Sequence, residues 1–258
     1  MSHHELFSDK SSLYSRARPT YPVALYDYLS GLCVKSGSPT KGTEQRTAWD
    51  CACGSGQAAI GLAEIFDQVI ATDVSRQQIE NAKTHPNIEY RVCQSERSGL
   101  LSHSMDLICV AQALHWFDFT EFWPEVMRIL KPGGIFAAFG YNLPRTSDEV
   151  DSLIQREVLD VVDSFWAPQN QLLWDNYSHV DFPFDLLEAP RFTINMDWSL
   201  HELFDFIGTF SAVRRFIDEH GDSPIREAYV NAGEWWGDSE QKRTVTLDLV
   251  LRVGAKDR

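Results

Sequence analysis

Short apolar runs alternate with amphipathic stretches between about residues 47 and 141. Runs of four to eight apolar residues bounded by turn residues predict buried strands. Five such strands are predicted, at residues 48–51, 68–72, 88–93, 106–111 and 135–141. Because helical patterns lie between them, this order predicts an α/β fold with a mostly parallel sheet covered by helices.

Polar residues mark the predicted starts of the core helices. Ser75 followed by Gln78 indicates a capping box for a helix that reaches about Lys83. Thr120 is the predicted cap of a later helix, which must end at residues 131–134 because that segment contains proline and two glycines.

Beyond residue 141 the pattern changes. The spacing of apolar residues predicts a helix over 150–165, a strand over 192–198 and further helices that open at Ser199 and Ser223. Strict alternation over 244–253 predicts a half-buried last strand. The polar stretch 35–45 is expected to be a surface loop or linker.

Composition narrows the function classes. The 258 residues carry a formal net charge of −14, which disfavours a nucleic-acid partner, and no run of about 18 apolar residues predicts a membrane span. The first residues lack the pattern of a secretory signal, and five cysteines do not form a disulfide framework, so we expect a cytoplasmic protein. Cys51 and Cys53 have the wrong spacing for a zinc pair, so no metal site is predicted. The sequence carries no signal of oligomeric state.

A glycine turn after the first strand is the strongest chemical signal. Asp50 ends the strand, Gly54 and Gly56 follow, and a helix begins, so backbone N–H groups can approach a ligand closely. Asp73 ends the second strand, from where a carboxylate can accept hydrogen bonds from both hydroxyls of a ribose. Together they predict a site for a nucleoside-bearing cofactor.

Two cofactor classes fit this turn. Gly54-x-Gly56-x-x-Ala59 also matches the looser dinucleotide fingerprint, so a nicotinamide-dependent oxidoreductase is an alternative. Against it, Asp50 stands four residues before Gly54, where a dinucleotide fold runs an apolar strand into the glycines.

The segment Asp50-x-Ala52-x-Gly54-x-Gly56 resembles motif I of class I S-adenosylmethionine-dependent methyltransferases, with alanine in place of the usual first glycine. The resemblance implies S-adenosyl-L-methionine as cofactor and a Rossmann-like, seven-stranded, mostly parallel sheet with the last strand antiparallel. It also implies a helical cap insertion. The cofactor-binding residues that it implies are Tyr14, Arg18, Asp50, Ala52, Gly54, Gly56, Asp73, Val74, Gln94, Ser95, Glu96, Ala111 and Gln112. Gln94 stands where the family usually has aspartate.

Residues 14–22 and 113–118 resemble the subgroup that contains trans-aconitate methyltransferases. This implies a small-molecule acceptor and points to methylation of a carboxylate oxygen; a catalytically degenerate cofactor-binding protein is a further alternative. His115 is the candidate catalytic residue, for orientation or as a base, with a structural or gating role as the other interpretation. Trp116, Tyr141 and Trp166 are candidate substrate contacts, and Arg145, Arg191, Arg214 and Arg215 are candidates to pair with an acidic acceptor.

The same resemblance divides the chain. We expect a single methyltransferase domain over residues 1–258. Its parts are an N-terminal lid segment and linker (1–46), a cofactor-binding core (47–141), a cap and substrate region (142–243) and the final strand (244–258).

Overall fold

A computed structural model describes residues 18–37 and 45–258. The predicted cofactor contact Tyr14 and most of the predicted loop 35–45 lie outside the described residues. Eight strands lie within the described residues: β1 (Thr47–Cys51), β2 (Gln68–Asp73), β3 (Ile88–Val92), β4 (Met105–Ala111), β5 (Leu130–Tyr141), β6 (Asp185–Leu186), β7 (Thr193–Trp198) and β8 (Arg243–Ala255).

The strands form one sheet in the order β3-β2-β1-β4-β5-β8-β6, with β7 also paired to β8. Neighbours among β1 to β5 run parallel, whereas β8 runs antiparallel to β5, β6 and β7. This confirms the predicted Rossmann-like architecture and the antiparallel last strand. The sheet has eight strands rather than seven; β6, which was not predicted, is two residues long and too short to show a periodic pattern.

Nine α-helices occur in the described residues: α1 (Val23–Lys35), α2 (Gln57–Ile65), α3 (Arg76–Glu80), α4 (Phe119–Ile129), α5 (Asp148–Ile154), α6 (Asn170–Trp174), α7 (Leu200–Gly208), α8 (Ser211–His220) and α9 (Ile225–Trp236). None of the described helices is long and apolar enough to cross a membrane. α4 ends before Lys131, as predicted, and the chain enters β5 directly.

The capping predictions have mixed outcomes. Ser199 and Glu202 form the complete reciprocal capping box of α7, and Ser75 accepts from the backbone N–H of Gln78 at 3.4 Å. The prediction for Thr120 was wrong. The N-cap of α4 is Asp118, whose Oδ1 accepts from the Thr120 N–H at 2.9 Å and from its hydroxyl at 2.6 Å. Carboxylate oxygens are better acceptors for an orphan helix N–H, and here the hydroxyl acts as a donor instead.

The predicted helix over 150–165 is not one continuous α-helix. α5 ends at Ile154 and is followed by a π-turn over Gln155–Leu159 and a 3₁₀ turn over Asp163–Phe165. Apolar positions alone do not reveal such changes, because both turns keep roughly a helical spacing over a few residues.

Two apolar cores lie on opposite faces of the sheet, because successive strand residues point to opposite sides. On β4, Leu107 and Cys109 belong to the core that α1 and α2 cover, whereas Ile108 and Val110 belong to the core that α4 covers. Helices therefore cover both faces of the sheet. In such sheets, ligands bind at the carboxyl ends of the parallel strands, so a ligand is expected there.

Candidate active site

The glycine turn joins β1 to α2 and is tied to the end of β2. The Cys53 N–H donates to the Thr72 carbonyl at 2.9 Å, and the Gly54 N–H donates to Asp73 Oδ2 at 2.9 Å. The backbone is left-handed at Ala52 (φ 57°), Gly54 (φ 56°) and Gly56 (φ 86°). Glycine tolerates this conformation, whereas an alanine in it costs about 1–2 kcal/mol. The alanine that departs from motif I therefore stores strain in the turn.

Gly56 has a packing role that the sequence did not reveal. A Cβ at this position would overlap the Tyr90 hydroxyl and lie 3.1 Å from its Cζ, and Gly56 is not among the residues that line a cavity. Gly56 precedes the first residue of α2 as its N-cap. A side chain here meets Tyr90 of β3 rather than the space above the turn.

Asp73, at the end of β2, is the organising carboxylate. Its Oδ2 accepts from Gly54, and its Oδ1 accepts from the Ser75 N–H at 2.8 Å. These bonds fix the carboxylate between the glycine turn and the start of α3. A carboxylate offers about four acceptor sites, so Asp73 can accept these two backbone hydrogen bonds and still accept others from a ligand.

A first cavity of about 400 Å³ opens where β1 to β4 end. Twelve of the predicted site residues line it: Arg18, Ala52, Gly54, Asp73, Val74, Gln94, Ser95, Glu96, Ala111, Gln112, Trp116 and Tyr141. Sequence reasoning missed the lining residues Pro19, Tyr21, Cys53, Gln57, Ala58, Ser75, Gln78, Cys93, Ala113 and Phe117. Most of these are direct neighbours of the predicted residues and could have been found by extending each motif by one or two positions. The size of the cavity and the carboxylate at its edge fit a nucleoside-bearing ligand.

Asp50 lies beneath this cavity and does not line it. The residue is fully buried in β1, and neither carboxyl oxygen has a hydrogen-bond partner of good geometry among the described residues. Burial raises the pKa of Asp50 to about 8, partly offset by the backbone N–H of Ala59 and reinforced by the Asp73 charge. Asp50 is therefore protonated at neutral pH in the absence of a ligand.

Gln112 connects the ends of β4 and β5. Its backbone is left-handed (φ 56°), and its side-chain amide bonds both backbone groups of Tyr141: Nε2 donates to the carbonyl at 3.3 Å, and Oε1 accepts from the N–H at 3.2 Å. A Cβ at Gly140 would overlap Gln112 Oε1, so glycine is required there. Gln112 thereby fixes Tyr141 above the strand ends.

Tyr141 in turn holds Arg18, the first described residue. The Arg18 Nη1 donates to the Tyr141 hydroxyl at 2.7 Å, and the guanidinium carbon lies 5.8 Å from the Tyr141 ring centre and 5.6 Å from that of Phe206. Planar guanidinium groups stack on such rings. This places one cation between the sheet and the helices of the 142–243 region.

A second cavity of about 90 Å³ adjoins the first and shares Arg18, Gln112, Trp116 and Tyr141 with it. Its remaining lining residues are His115, Asn142, Leu143, Trp166, Asn170, Leu173, Trp174, Phe210 and Ser211. The aromatic rings pack edge to face, with 5.2 Å between the centres of Trp166 and Trp174. This space combines Trp, Tyr and Phe rings with the polar side chains of Arg18, Gln112, His115, Asn142, Asn170 and Ser211, a combination that suits a small-molecule site.

His115 lines the second cavity and is only 5 % exposed. Burial lowers its pKa to about 4, so the imidazole is neutral at physiological pH. Its Nδ1 lies 3.1 Å from the Tyr177 hydroxyl, and its ring packs at 4.7 Å from Trp116. Sequence reasoning did not identify Tyr177, which is 62 positions away along the chain.

The tryptophans and arginines of the 142–243 region differ in exposure. Of its five tryptophans only Trp236 is buried; Trp235 is 56 % exposed, and the other three are half-buried. The four arginines that are candidates to pair with an acidic acceptor do not line either of the two cavities. Arg145 instead forms an exposed ion pair with Asp248, and Arg215 donates to the Phe165 carbonyl. Long side chains keep their charge in water, and apolar pattern does not report which ones turn inward.

Among residues 18–37 and 45–258, no three His, Cys, Asp or Glu side chains are grouped as metal ligands. The five cysteines are free, and all except Cys93 are buried.

Comparison with known proteins agrees with this geometry. A family model described as a methyltransferase domain matches residues 49–138. A candidate methyltransferase of Dictyostelium discoideum is 31 % identical over 214 residues, which cover 82 % of this chain and 78 % of that protein. A Saccharomyces cerevisiae protein named as a probable S-adenosylmethionine-dependent methyltransferase is 28 % identical over 153 residues, 56 % of this chain and 50 % of that protein.

The fold comparison points the same way. A solved structure described as a candidate type II methyltransferase from Anaeromyxobacter dehalogenans superposes with a TM-score of 0.83 at 36 % identity, covering 93 % of this chain and 99 % of that one. Nothing in these comparisons supports the nicotinamide-dependent alternative. Motif, sheet order, cavity and relatives agree, and the chain belongs to the class I methyltransferases that use S-adenosylmethionine as methyl donor.

Proposed function

We propose that this methyltransferase acts on a small carboxylic acid and methylates a carboxylate oxygen. The observation that carries the proposal is the pair of adjoining cavities, which share Arg18 and Tyr141 at their boundary. The first cavity holds the cofactor and the second holds the acceptor. A carboxylate that enters the second cavity meets the guanidinium of Arg18, which is suited to bind it bidentately.

Each cavity has its own binding groups. In the first cavity, Asp73 receives the ribose hydroxyls, and the backbone of the glycine turn lies against the cofactor. The adenine base of the cofactor contacts Gln94, Ser95 and Glu96, which also line this cavity. In the second cavity, Trp166 and Trp116 shape the space around the acceptor. The 142–243 region acts as a cap and supplies most of the residues that line the second cavity.

The chemistry requires alignment more than acid–base catalysis. When bound, S-adenosylmethionine supplies a sulfonium-linked methyl group, whose in-line transfer to a carboxylate oxygen forms a C–O bond, breaks the S–CH₃ bond and moves no proton. The protein contributes by holding the acceptor in line and by excluding water, and both lower the barrier through proximity. A neutral His115 fits this scheme, because an ionised carboxylate needs no base.

The proposal also concerns the partners and the cellular compartment that suit the protein. The net charge of −14 opposes binding to a nucleic-acid backbone, and this long-range repulsion is screened at cellular salt for a small acid that enters a local pocket. Five free cysteines fit a reducing compartment such as the cytoplasm.

A turnover screen with labelled methyl donor tests the proposal. Di- and tricarboxylic acids are compared with their own amides, and with phenols, amines and sterol-like alcohols. We expect turnover with acids and none with the matched amides. Arg145→Ala, which alters an exposed arginine outside both cavities, serves as control and should leave turnover unchanged. Turnover confined to non-acids would contradict the carboxylate assignment, and tight cofactor binding without any turnover would favour the degenerate alternative.

A further inference from the structure

Tyr177 sits on an unusual piece of backbone beside the second cavity. Asn176 and Tyr177 are both left-handed, at φ 53° and 52°, without a glycine between them. Each such residue costs of the order of 1 kcal/mol, so surrounding contacts must hold the pair. They do: the Tyr177 N–H donates to the Leu172 carbonyl at 2.6 Å, and Arg252 Nε donates to the Asn176 carbonyl at 2.7 Å.

The strained backbone places the Tyr177 hydroxyl against His115. Tyr177 is 1 % exposed, and its hydroxyl lies 3.1 Å from His115 Nδ1, its one polar partner within residues 18–37 and 45–258. His115 Nε2 has no partner in the same residues, and the imidazole lines the second cavity. One ring nitrogen of His115 is therefore engaged by Tyr177, which leaves Nε2 as the nitrogen that can bond a ligand in the second cavity.

The direction of this hydrogen bond can be decided from burial. If His115 Nδ1 carried the proton, it would donate to the Tyr177 oxygen and leave the buried phenolic O–H without an acceptor. A buried polar group without its partner costs about 1–3 kcal/mol. If Tyr177 donates to an unprotonated Nδ1, both groups are satisfied and the proton of the neutral imidazole resides on Nε2.

The other groups around His115 do not change this assignment of the imidazole proton to Nε2. Among the described residues that line the second cavity, Arg18 and Tyr141 are the further titratable groups and none is a carboxylate. Trp116 packs on the imidazole ring and brings no charge. Nothing there would draw a second proton onto the ring, and burial keeps the pKa of His115 at about 4.

We infer that Tyr177 is a positioning residue that holds His115 in the Nε2–H tautomer, so that His115 donates a hydrogen bond to an oxygen of the acceptor and cannot act as a base. The inference rests on the proposed function for the identity of the acceptor, but the tautomer itself does not. It also bears on the accepting atom, because an ionised oxygen needs no base, whereas a hydroxyl or ammonium group needs one and His115 would not supply it.

Nitrogen-15 NMR of the intact protein with labelled histidine tests the tautomer directly, without an acceptor. The His115 signals are those lost in His115→Asn. At neutral pH we expect a protonated Nε2 and an unprotonated Nδ1. A protonated Nδ1 would overturn the inference.

Tyr177→Phe removes the hydroxyl and keeps the ring. It should give a mixture of tautomers and raise the pKa of His115 by about 0.4–1, the equivalent of one net hydrogen bond to the neutral form. Tyr26→Phe is the matched control, since Tyr26 is a buried tyrosine on α1 that lines neither cavity. It should leave the His115 signals unchanged. Signals that move equally in both variants would indicate a general effect on the fold and would contradict the assignment.

Turnover measurements show whether a failure lies in this inference or in the proposed function. With an acid found in the screen, Tyr177→Phe should raise the acceptor KM about 2- to 10-fold with unchanged cofactor affinity. Wild-type turnover should stay flat between about pH 6 and 9, since the acceptor is ionised and no base titrates. If no acid is methylated but the Nε2–H tautomer is found, only the proposed function fails. If acids are methylated while Nδ1 carries the proton, only the role of Tyr177 fails.

Discussion

The two cavities of this methyltransferase are built in different ways. The first is formed at the ends of consecutive strands: Asp73 and Ala111 are the last residues of β2 and β4, and Ala52 directly follows β1. The second depends on Trp166, Phe210 and other residues from separate helices and turns. A site built from strand ends is specified locally, whereas a site built from distant elements exists only when those elements have packed together.

The difference extends to how each cavity holds its ionisable group. Asp50 lies under the first cavity with its pKa raised to about 8, and His115 lines the second with its pKa lowered to about 4. Burial acts on both and favours the uncharged form of each. Asp50 has no hydrogen-bond partner of good geometry in the described residues, whereas His115 has Tyr177. The two groups thus differ in charge type and in hydrogen bonding, while burial favours the uncharged form of both near neutral pH.

The largest expected effect concerns Gly56 and tests whether the first cavity depends on packing behind the turn. Gly56→Ala should lower the free energy of unfolding by about 2–4 kcal/mol, because it combines left-handed strain with overlap against Tyr90. Gly99→Ala is the matched control: Gly99 has φ 70° with no atom within 4 Å of a Cβ, so it should cost only the strain, about 1–2 kcal/mol.

Urea denaturation measures both variants, and a Tyr90→Ala background separates the two causes. In that background the excess cost of Gly56→Ala over Gly99→Ala should largely disappear. Equal costs of the two glycine variants in the wild-type background would show that Tyr90 does not limit the turn.

Asp73→Ala tests whether cofactor affinity depends on the first cavity. Losing a charged acceptor should weaken cofactor binding by about 1.5–3 kcal/mol, and the glycine turn loses its bond from Gly54 at the same time. Calorimetric titration with S-adenosylmethionine measures the change. Asp151→Ala removes a similar carboxylate, which accepts from Thr146 outside both cavities, and should bind the cofactor normally. Wild-type affinity in a folded Asp73→Ala protein would refute the ribose role.

The smallest effect concerns pH. The pKa of Asp50 is raised in the folded state, so the folded protein holds a proton that the unfolded chain has released, and stability falls as pH rises through about 8. Between pH 7 and 8 the ligand-free protein should lose about 1 kcal/mol from this group. Asp50→Asn should remove that part of the slope in denaturant titrations, whereas the exposed Asp27→Asn should follow wild type. An unchanged slope in Asp50→Asn would show that Asp50 is already ionised.

The shift in the second cavity has the opposite sign. Burial lowers the pKa of His115 from its ordinary value of 6.5 to about 4, so stability is lost as pH falls from about 6.5 to 4. The raised pKa of Asp50 acts from its ordinary value of 3.8 up to about 8, so the two groups have opposing effects below pH 6.5. Between pH 7 and 8, Asp50 is the one of these two groups that titrates.

Much of the fold was predictable because its signals are local. The Ser199 capping box was confirmed, and the strand runs and the last strand were confirmed within one or two residues, except that β5 begins at Leu130, five residues before its predicted start. Asp118 replaced Thr120 as a cap because two neighbouring polar residues compete for one orphan N–H, and sequence does not rank their geometry. The two-residue strand β6 had no periodic signal at all.

By itself, the sequence determined the strand, glycine turn and helix around Gly54 and the carboxylate of Asp73 at the next strand end, because these depend on neighbours in the chain. The tertiary structure alone decided that Tyr90 fills the space behind Gly56, that Gln112 fixes Tyr141, and that Tyr177 meets His115. Such contacts join residues 29 to 62 positions apart. Their geometry comes from the packing of whole elements, which no local pattern of apolar and polar residues encodes.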